Sequence, residues 1–368
     1  MDNTFFFKKM PISSDFVIAS AAKQSIGRAD SITRGSSRPF RARDDGLVQS
    51  FLCHFHGRGG TISLALAALL LHGGLAGATE LGGSSYPVGV ELGYGDMLPP
   101  GLYHLAYYSH AQAASLKGNS GQDLGWTRYR LTADTLSYRM QYVWNATLLG
   151  ASAESALVLP FPAIDLEKQV ASALPDTGGS RFGLTDPLLV PLRLAWKAET
   201  INQSVGLEIV VPLGAYDVNA PVNTGRNYWQ FAPAYALSYR PSAETVIGFK
   251  LRYGINTENH ATDYRSGDEL TFEYSASYKL TPATTLGVQG YFFRQTSDDE
   301  LNGQATSATN GRLIGSGIGN RGSANSFGPF LSYRVSPRLA FTLKYQQDFD
   351  VKNRAEFKRL WLQAMLPF

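Results

Sequence analysis

Residues 269–280 read ELTFEYSASYKL, an unbroken alternation of side-chain character. Leu270, Phe272, Tyr274, Ala276, Tyr278 and Leu280 share one face of an extended chain, and Glu269, Thr271, Glu273, Ser275, Ser277 and Lys279 share the other. Successive side chains of a strand point to opposite faces, so this stretch predicts a strand with one face in an apolar phase and one in a polar phase. The same period recurs along the chain. Ile247, Phe249, Leu251, Tyr253 and Ile255 alternate with Lys250, Arg252 and Asn256, and residues 229–239, 136–144 and 339–345 behave alike. From residue 79 onward, no run has apolar residues at the spacing of an amphipathic helix.

A soluble β-sandwich and a transmembrane barrel share this pattern. Three features favour the barrel. The runs are mostly about 10 to 13 residues long, enough to cross a bilayer at a tilt, whereas strands of soluble proteins average about five or six. Aromatic residues, among them Trp229, Tyr239, Tyr253, Tyr278, Tyr333 and Tyr345, stand near the ends of the apolar faces, where interfacial girdles place them. Finally, Leu360, Leu362, Ala364 and Leu366 alternate up to Phe368, like the terminal signal by which outer-membrane barrels are recognised for assembly. The expected fold is therefore an all-β, antiparallel transmembrane β-barrel of the outer membrane. Its expected partners are outer-membrane lipid and, through the strand ending at Phe368, the barrel-assembly machinery.

Twelve strands are expected, near residues 101–115, 132–144, 154–166, 186–197, 203–212, 228–239, 244–256, 269–280, 284–296, 326–335, 338–347 and 356–368. Proline-bearing tight turns at residues 240–243, 280–283 and 335–338 each follow an even strand, while long polar connectors such as 258–268 and 297–325 follow odd ones. Bacterial barrels have even strand numbers with short periplasmic turns and long outer loops, which matches this alternation. Pro160, Pro162, Pro187, Pro191, Pro233 and Pro329 fall inside expected strands, against the usual exclusion of proline from a ladder.

Ahead of the barrel, residues 61–78 read TISLALAALLLHGGLAGA. The core of this run has the length of a signal-peptide apolar region, Arg58 precedes it, and Ala76-Gly77-Ala78 offers a small-residue cleavage site. Residues 51–78 are thus expected to be a signal peptide, with Thr79 first in the mature chain. Residues 1–50 fit no leader and are expected to be a non-native extension, with the true start near Leu47 or Val48. Residues 79–100, rich in glycine, are expected to form a periplasmic tail or a plug, and residues 101–368 the barrel.

Composition changes meaning with the leader removed. The full 368 residues carry 33 Lys/Arg, 30 Asp/Glu and one cysteine. Residues 1–78 hold nine of those bases, five of the acids and Cys53, so the expected mature chain is close to neutral and cysteine-free. The case for a nucleic-acid partner goes with the leader, and a disulfide framework is excluded.

Five phrases carry a family resemblance. They are Leu98-Pro99-Pro100-Gly101-Leu102-Tyr103, Leu184-Thr185-Asp186-Pro187-Leu188-Leu189, Val211-Pro212-Leu213-Gly214-Ala215-Tyr216-Asp217, Asn223-Thr224-Gly225-Arg226-Asn227-Tyr228-Trp229 and the closing residues 361–368, WLQAMLPF. In their order and spacing they resemble the outer-membrane transporter family associated with the meta-cleavage pathway of phenol degradation. The resemblance implies an outer-membrane barrel acting as a transporter, with no catalytic residues to carry over.

If the apolar faces meet lipid, the interleaved residues line a lumen. With the third strand, whose faces the pattern does not assign, left aside, this places Arg139, Arg193, Lys197, Lys250, Arg252, Lys279, Arg334, Arg338, Lys344 and Arg359 inside, against Glu208, Glu244, Glu269 and Glu273. A positive wall favours anions such as aromatic or short-chain carboxylates. The competing expectation is that these charges pair and fill a closed interior. Tyr108, Tyr291, Phe293, Phe330 and Trp361 are expected to face inward as an apolar path, and Arg226 to stand where an outer loop re-enters the barrel. The expected function is passive uptake of small organic solutes, aromatic or anionic; the alternatives are a structural or adhesive barrel without transport and, behind it, a barrel lipid hydrolase.

An enzyme is disfavoured. Only His104, His110 and His260 remain after residue 78, and Ser109 points away from His110 across the strand. Two histidines six residues apart lack a third metal ligand, and no phosphate-binding loop, H-E-x-x-H motif or EF-hand loop occurs, so no cofactor is expected.

Overall fold

The computed structural model describes residues 83–92, 94–305, 321–336 and 339–366. The expected signal peptide, its cleavage after Ala78, the extension over residues 1–50 and Phe368 lie outside the described residues. No described residue is helical.

Twelve long strands form the wall: β1 (Gly101–Leu116), β2 (Arg128–Leu148), β3 (Ala151–Gln169), β4 (Leu188–Lys197), β5 (Ile201–Val210), β6 (Gln230–Tyr239), β7 (Thr245–Asn256), β8 (Glu269–Lys279), β9 (Thr284–Gln295), β10 (Ser323–Ser336), β11 (Leu339–Lys352) and β12 (Ala355–Leu366). Each pairs antiparallel with its sequence neighbours, and β1 pairs with β12 from His104↔Leu366 to Leu116↔Ala355, which closes the sheet. Closure leaves no unpaired edge, the condition a sheet must meet in lipid.

The outward faces are apolar. Leu251, Phe292, Leu343 and Tyr333 are each between 41% and 52% exposed, and Leu102, Leu136, Phe161, Leu189 and Leu362 on other strands are exposed likewise. A band of apolar side chains around the whole wall suits hydrocarbon and no aqueous surroundings. Even strands lead into short turns. Between β2 and β3 the turn is Leu149 and Gly150 alone, both at positive φ (54° and 73°), a two-residue hairpin of the mirror-image type. Odd strands lead into the longer connections, except that β11 and β12 are joined by Asn353 and Arg354 only. Short turns mark the periplasmic end. The long polar connectors contain local order: Glu258–Asn259, Tyr264–Arg265, Glu300–Leu301 and Gln304–Ala305 form a small four-stranded sheet.

The prolines are accommodated by specific devices. Pro191 coincides with register shifts on both sides of β4, and the Ser155 hydroxyl donates to its carbonyl at 2.7 Å. Pro160 and Pro162 use their carbonyls, which accept from the amides of Thr185 (3.0 Å) and Gly183 (3.3 Å). Opposite Pro329, the Tyr345 carbonyl accepts instead from the Gln289 side chain at 3.1 Å. Gln289 reaches it because residue 328 is glycine, where a Cβ would stand 1.9 Å from that carbonyl oxygen.

Candidate functional site

The inward faces are polar and buried. Along β8, Glu269, Thr271, Glu273 and Ser275 are all under 10% exposed, although every one of them projects away from lipid-facing neighbours. What buries them is the chain ahead of β1. Residues 83–92 and 94–98 run along the inside of the wall from its outer end to its inner end. Ser84 donates to Glu269 (2.7 Å) at the outer end, the Gly89 amide donates to Glu273 (2.8 Å) midway, and Asp96 accepts from Asn202 (2.7 Å) and Arg240 (2.6 Å) at the inner end. Lys344 donates to the carbonyls of Gly89 (2.8 Å) and Val90 (2.6 Å), and Arg193 to those of Tyr94 and Asp96, both at 3.1 Å. An extended segment has no ladder of its own, so its backbone groups are satisfied by lumen side chains. Gly95 lies so close to the wall that a Cβ there would stand 2.3 Å from the Asn202 carbonyl oxygen.

Glu91 of this segment completes a chain of charges across the lumen. Arg193 pairs with Glu154 (2.7 Å), Glu154 with Arg139 (3.6 Å), Arg139 with Glu91, Glu91 with Lys250 (3.4 Å), Lys250 with Glu208 (2.6 Å) and Glu208 with Arg252 (2.7 Å). The Arg252 guanidinium also covers the Tyr86 ring at 4.2 Å. Desolvating these ions is costly, so such pairs argue for a fixed arrangement more than for stability; removing one member leaves its partners uncompensated at about 3–5 kcal/mol.

Of the expected lumen residues, Arg139, Arg193, Glu208, Lys250, Arg252 and Glu273 meet around Glu91 and Gly89. Lys344 lies against Trp361 (5.2 Å), whose indole donates to Gln346 (2.7 Å). Tyr291 donates to Asp348 (2.6 Å) beside Arg359. Arg226 lies apart, in the outer connection between β5 and β6. Tyr108 differs from expectation: it faces outward, 42% exposed, and Tyr107 is the buried residue. Glu244 lies in the turn after β6, and Arg338 is outside the described residues. Sequence reasoning missed Glu91, Asp96, Glu154 and Asp348; Glu91, Glu154 and Asp348 pair with expected lumen cations, and Asp96 pairs with Arg240. The first two could have been suspected, since residues 79–100 hold three acids and no base.

Two cavities flank the segment. A space of about 550 Å³ opens toward the inner end, lined by Met97, Tyr107, Ser277, Lys279 and Arg334 among others. A second, of about 320 Å³, lies at the outer end beside Gly83, Ser84 and Ser85. On the outside of the wall, His110 Nδ1 lies 2.9 Å from Asp134, which also accepts from Tyr108 at 2.7 Å. His110 thus has a carboxylate partner, while Ser109 is buried on the opposite face.

Among solved structures, an outer membrane channel from Pseudomonas putida F1 is similar, with a TM-score of 0.65 and 18% identity over 76% of this chain and 100% of that one. The NanC porin (TM-score 0.39, 10% identity, 72% of this chain and 100% of that) and the β domain of the Bordetella autotransporter BrkA (TM-score 0.43, 9% identity, 73% and 100%) also match. No curated protein matches in sequence. The first of these likenesses shows the fold, a twelve-stranded outer-membrane barrel. Residues 113–364 match one family over more than half of the chain, and the protein belongs to that family, described as "Putative MetA-pathway of phenol degradation".

Proposed function

We propose that this barrel is an outer-membrane channel for passive uptake of small organic solutes, with residues 83–98 as its plug. The observation that supports the reading is a segment bound to the inner face of the wall through side-chain contacts, with one cavity beside its outer end and another beside its inner end. Such contacts can break without opening a strand pair, so the lumen can open while the barrel stays closed. The polar stripe of β8, from Glu269 to Lys279, would then line a water-filled route. The family to which the chain belongs and the likeness to a channel support the same reading.

Planar-bilayer conductance tests it. The intact barrel is expected to conduct weakly, and a variant lacking residues 83–97 to conduct at least several-fold more, with liposome uptake of benzoate rising in parallel. Equal conductance in the two forms removes the plug. No conductance and no uptake in either form leaves a structural barrel.

A further inference from the structure

Three of the phrases that carry the family resemblance, at residues 184–189, 211–217 and 223–229, meet at one carboxylate. Asp186 accepts from the amide of Gly214 through one oxygen (2.9 Å) and from the amide of Arg226 through the other (2.7 Å). Thr224 donates to the Leu184 carbonyl at 3.0 Å, and Thr185 donates to the Thr224 carbonyl. The backbones touch here: a Cβ on Gly225 would stand 2.5 Å from the Gly214 carbonyl oxygen. This knot does not pair strands of the wall. It forms one side of the outer cavity, whose other side is the inward face of β2 and β3 and the start of the plug.

The chemistry of that cavity is uneven. Its floor is apolar, built from Trp126, Tyr129, Leu131, Ile164, Leu166 and Phe357. Its charged groups are Lys168, Arg226 and Asp186. Both Asp186 oxygens are engaged by backbone amides, and Lys168 forms no ion pair among the described residues; the Asp176 carboxylate that lies near it is paired with Arg128 at 3.5 Å. One positive charge is therefore in excess beside an apolar volume of about 320 Å³, within the range of small-molecule sites. Arg226 touches the plug as well, since a Cβ on Gly83 would stand 2.8 Å from its Nη2.

We infer that the outer cavity is a binding site for an apolar monocarboxylate, an aryl-alkanoic or medium-chain acid, with its body on the Trp126–Ile164 floor and its carboxylate at Lys168. The assignment deepens the channel reading and rests on it for its purpose, but not for its geometry. A bound acid would also lie against Gly83 to Ser85, at the outer end of the plug.

The test is titration of the barrel in lipid nanodiscs with 4-phenylbutyrate and with 4-phenylbutanol, read by tryptophan fluorescence and calorimetry. The acid is expected to bind saturably and roughly tenfold or more tightly than the alcohol, because a charge-assisted contact is available to it alone. Lys168→Met keeps the apolar stem and is expected to erase that preference while leaving the alcohol unchanged. Ile164→Trp fills the floor and is expected to abolish both; should it fail to fold, Lys168→Met still decides. Absence of saturable binding, equal affinity for acid and alcohol, or an acid preference that survives Lys168→Met would each overturn the site. Benzoate uptake without 4-phenylbutyrate binding overturns the site and spares the channel, whereas binding without uptake supports the site and removes the channel.

Discussion

Asp299 shows how much a single buried residue in the outer connections controls. Its carboxylate accepts from the Gly267 amide (2.7 Å), the Gln295 side chain (2.5 Å) and the Tyr264 hydroxyl, and it is fully buried. Burial pushes its pKa up from 3.8 to about 6; the three donors pull the other way without compensating. The folded connection therefore favours the neutral acid. Its contribution is complete below the ordinary carboxylate range and is lost as pH rises through about 6. The outer sheet around residues 258–265 and 300–305 is expected to be tighter at pH 4 than at pH 7, by on the order of 2 kcal/mol. Amide exchange at Gly267, corrected for intrinsic pH dependence, should show it, and Asp299→Asn should flatten the profile; a loop that tightens with rising pH would refute the assignment. The misplacement of Tyr108 belongs to the same scale. On β1 the outward set includes His104 and His110, polar residues that invert the alternation, and the structure satisfies them locally through Asp134 and Tyr138. A hydrogen-bonded polar group is tolerated where an isolated one is not, and such partners lie on another strand, beyond what local pattern shows.

At the scale of elements, the proposed plug is held by close approach as much as by charge. Gly95→Val would drive its side chain into the Asn202 carbonyl, 2.3 Å from the Cβ position, and the inner end of the segment must then leave the wall. The expected result is a conductance closer to that of the form lacking residues 83–97, with the folded barrel's resistance to unfolding in detergent nearly unchanged; Ser84→Ala, which loses one contact at the other end, should open it far less. An unchanged Gly95→Val conductance would mean that the inner end does not seal. The wall itself was legible: eleven of the twelve strands begin within three residues of where alternation alone puts them, because lipid on one side and a polar lumen on the other impose period two over a full bilayer. What escaped lacked an unbroken apolar face. β11 was expected to stop at residue 347, yet it continues through Asp348 and Asp350 to Lys352 above the apolar band, and the lumen partner of Arg359 was lost with that extension. On β3, Ala153, Glu154 and Ser155 offer no large apolar side chain to set a face, and the prolines obscure the rest. Glu154 could be placed only by its neighbours, Arg139 and Arg193 on the flanking strands.

For the molecule as a whole, these placements replace a uniformly positive lumen with one whose charge varies along the axis. The centre is nearly balanced while the plug is seated, because Glu91 compensates Arg139 and Lys250 together. Toward the inner mouth, Lys279 and Arg334 line the cavity with no ion pair among the described residues. Withdrawing the plug removes Glu91 and Asp96 and leaves the central cations with fewer partners, so the same event that opens the route makes it more positive. The form lacking residues 83–97 is therefore expected to select anions, giving a reversal potential of chloride sign in a potassium chloride gradient. Because these charges act through water, the selectivity should weaken as salt rises toward 1 M, where the screening length falls to about 3 Å. Lys279→Glu combined with Arg334→Glu alters only the inner mouth and should move the reversal potential toward cations without closing the route. A cation-selective open form would contradict the charge assignment even if the conductance rose as expected, since opening depends on the plug and selectivity on the wall it uncovers.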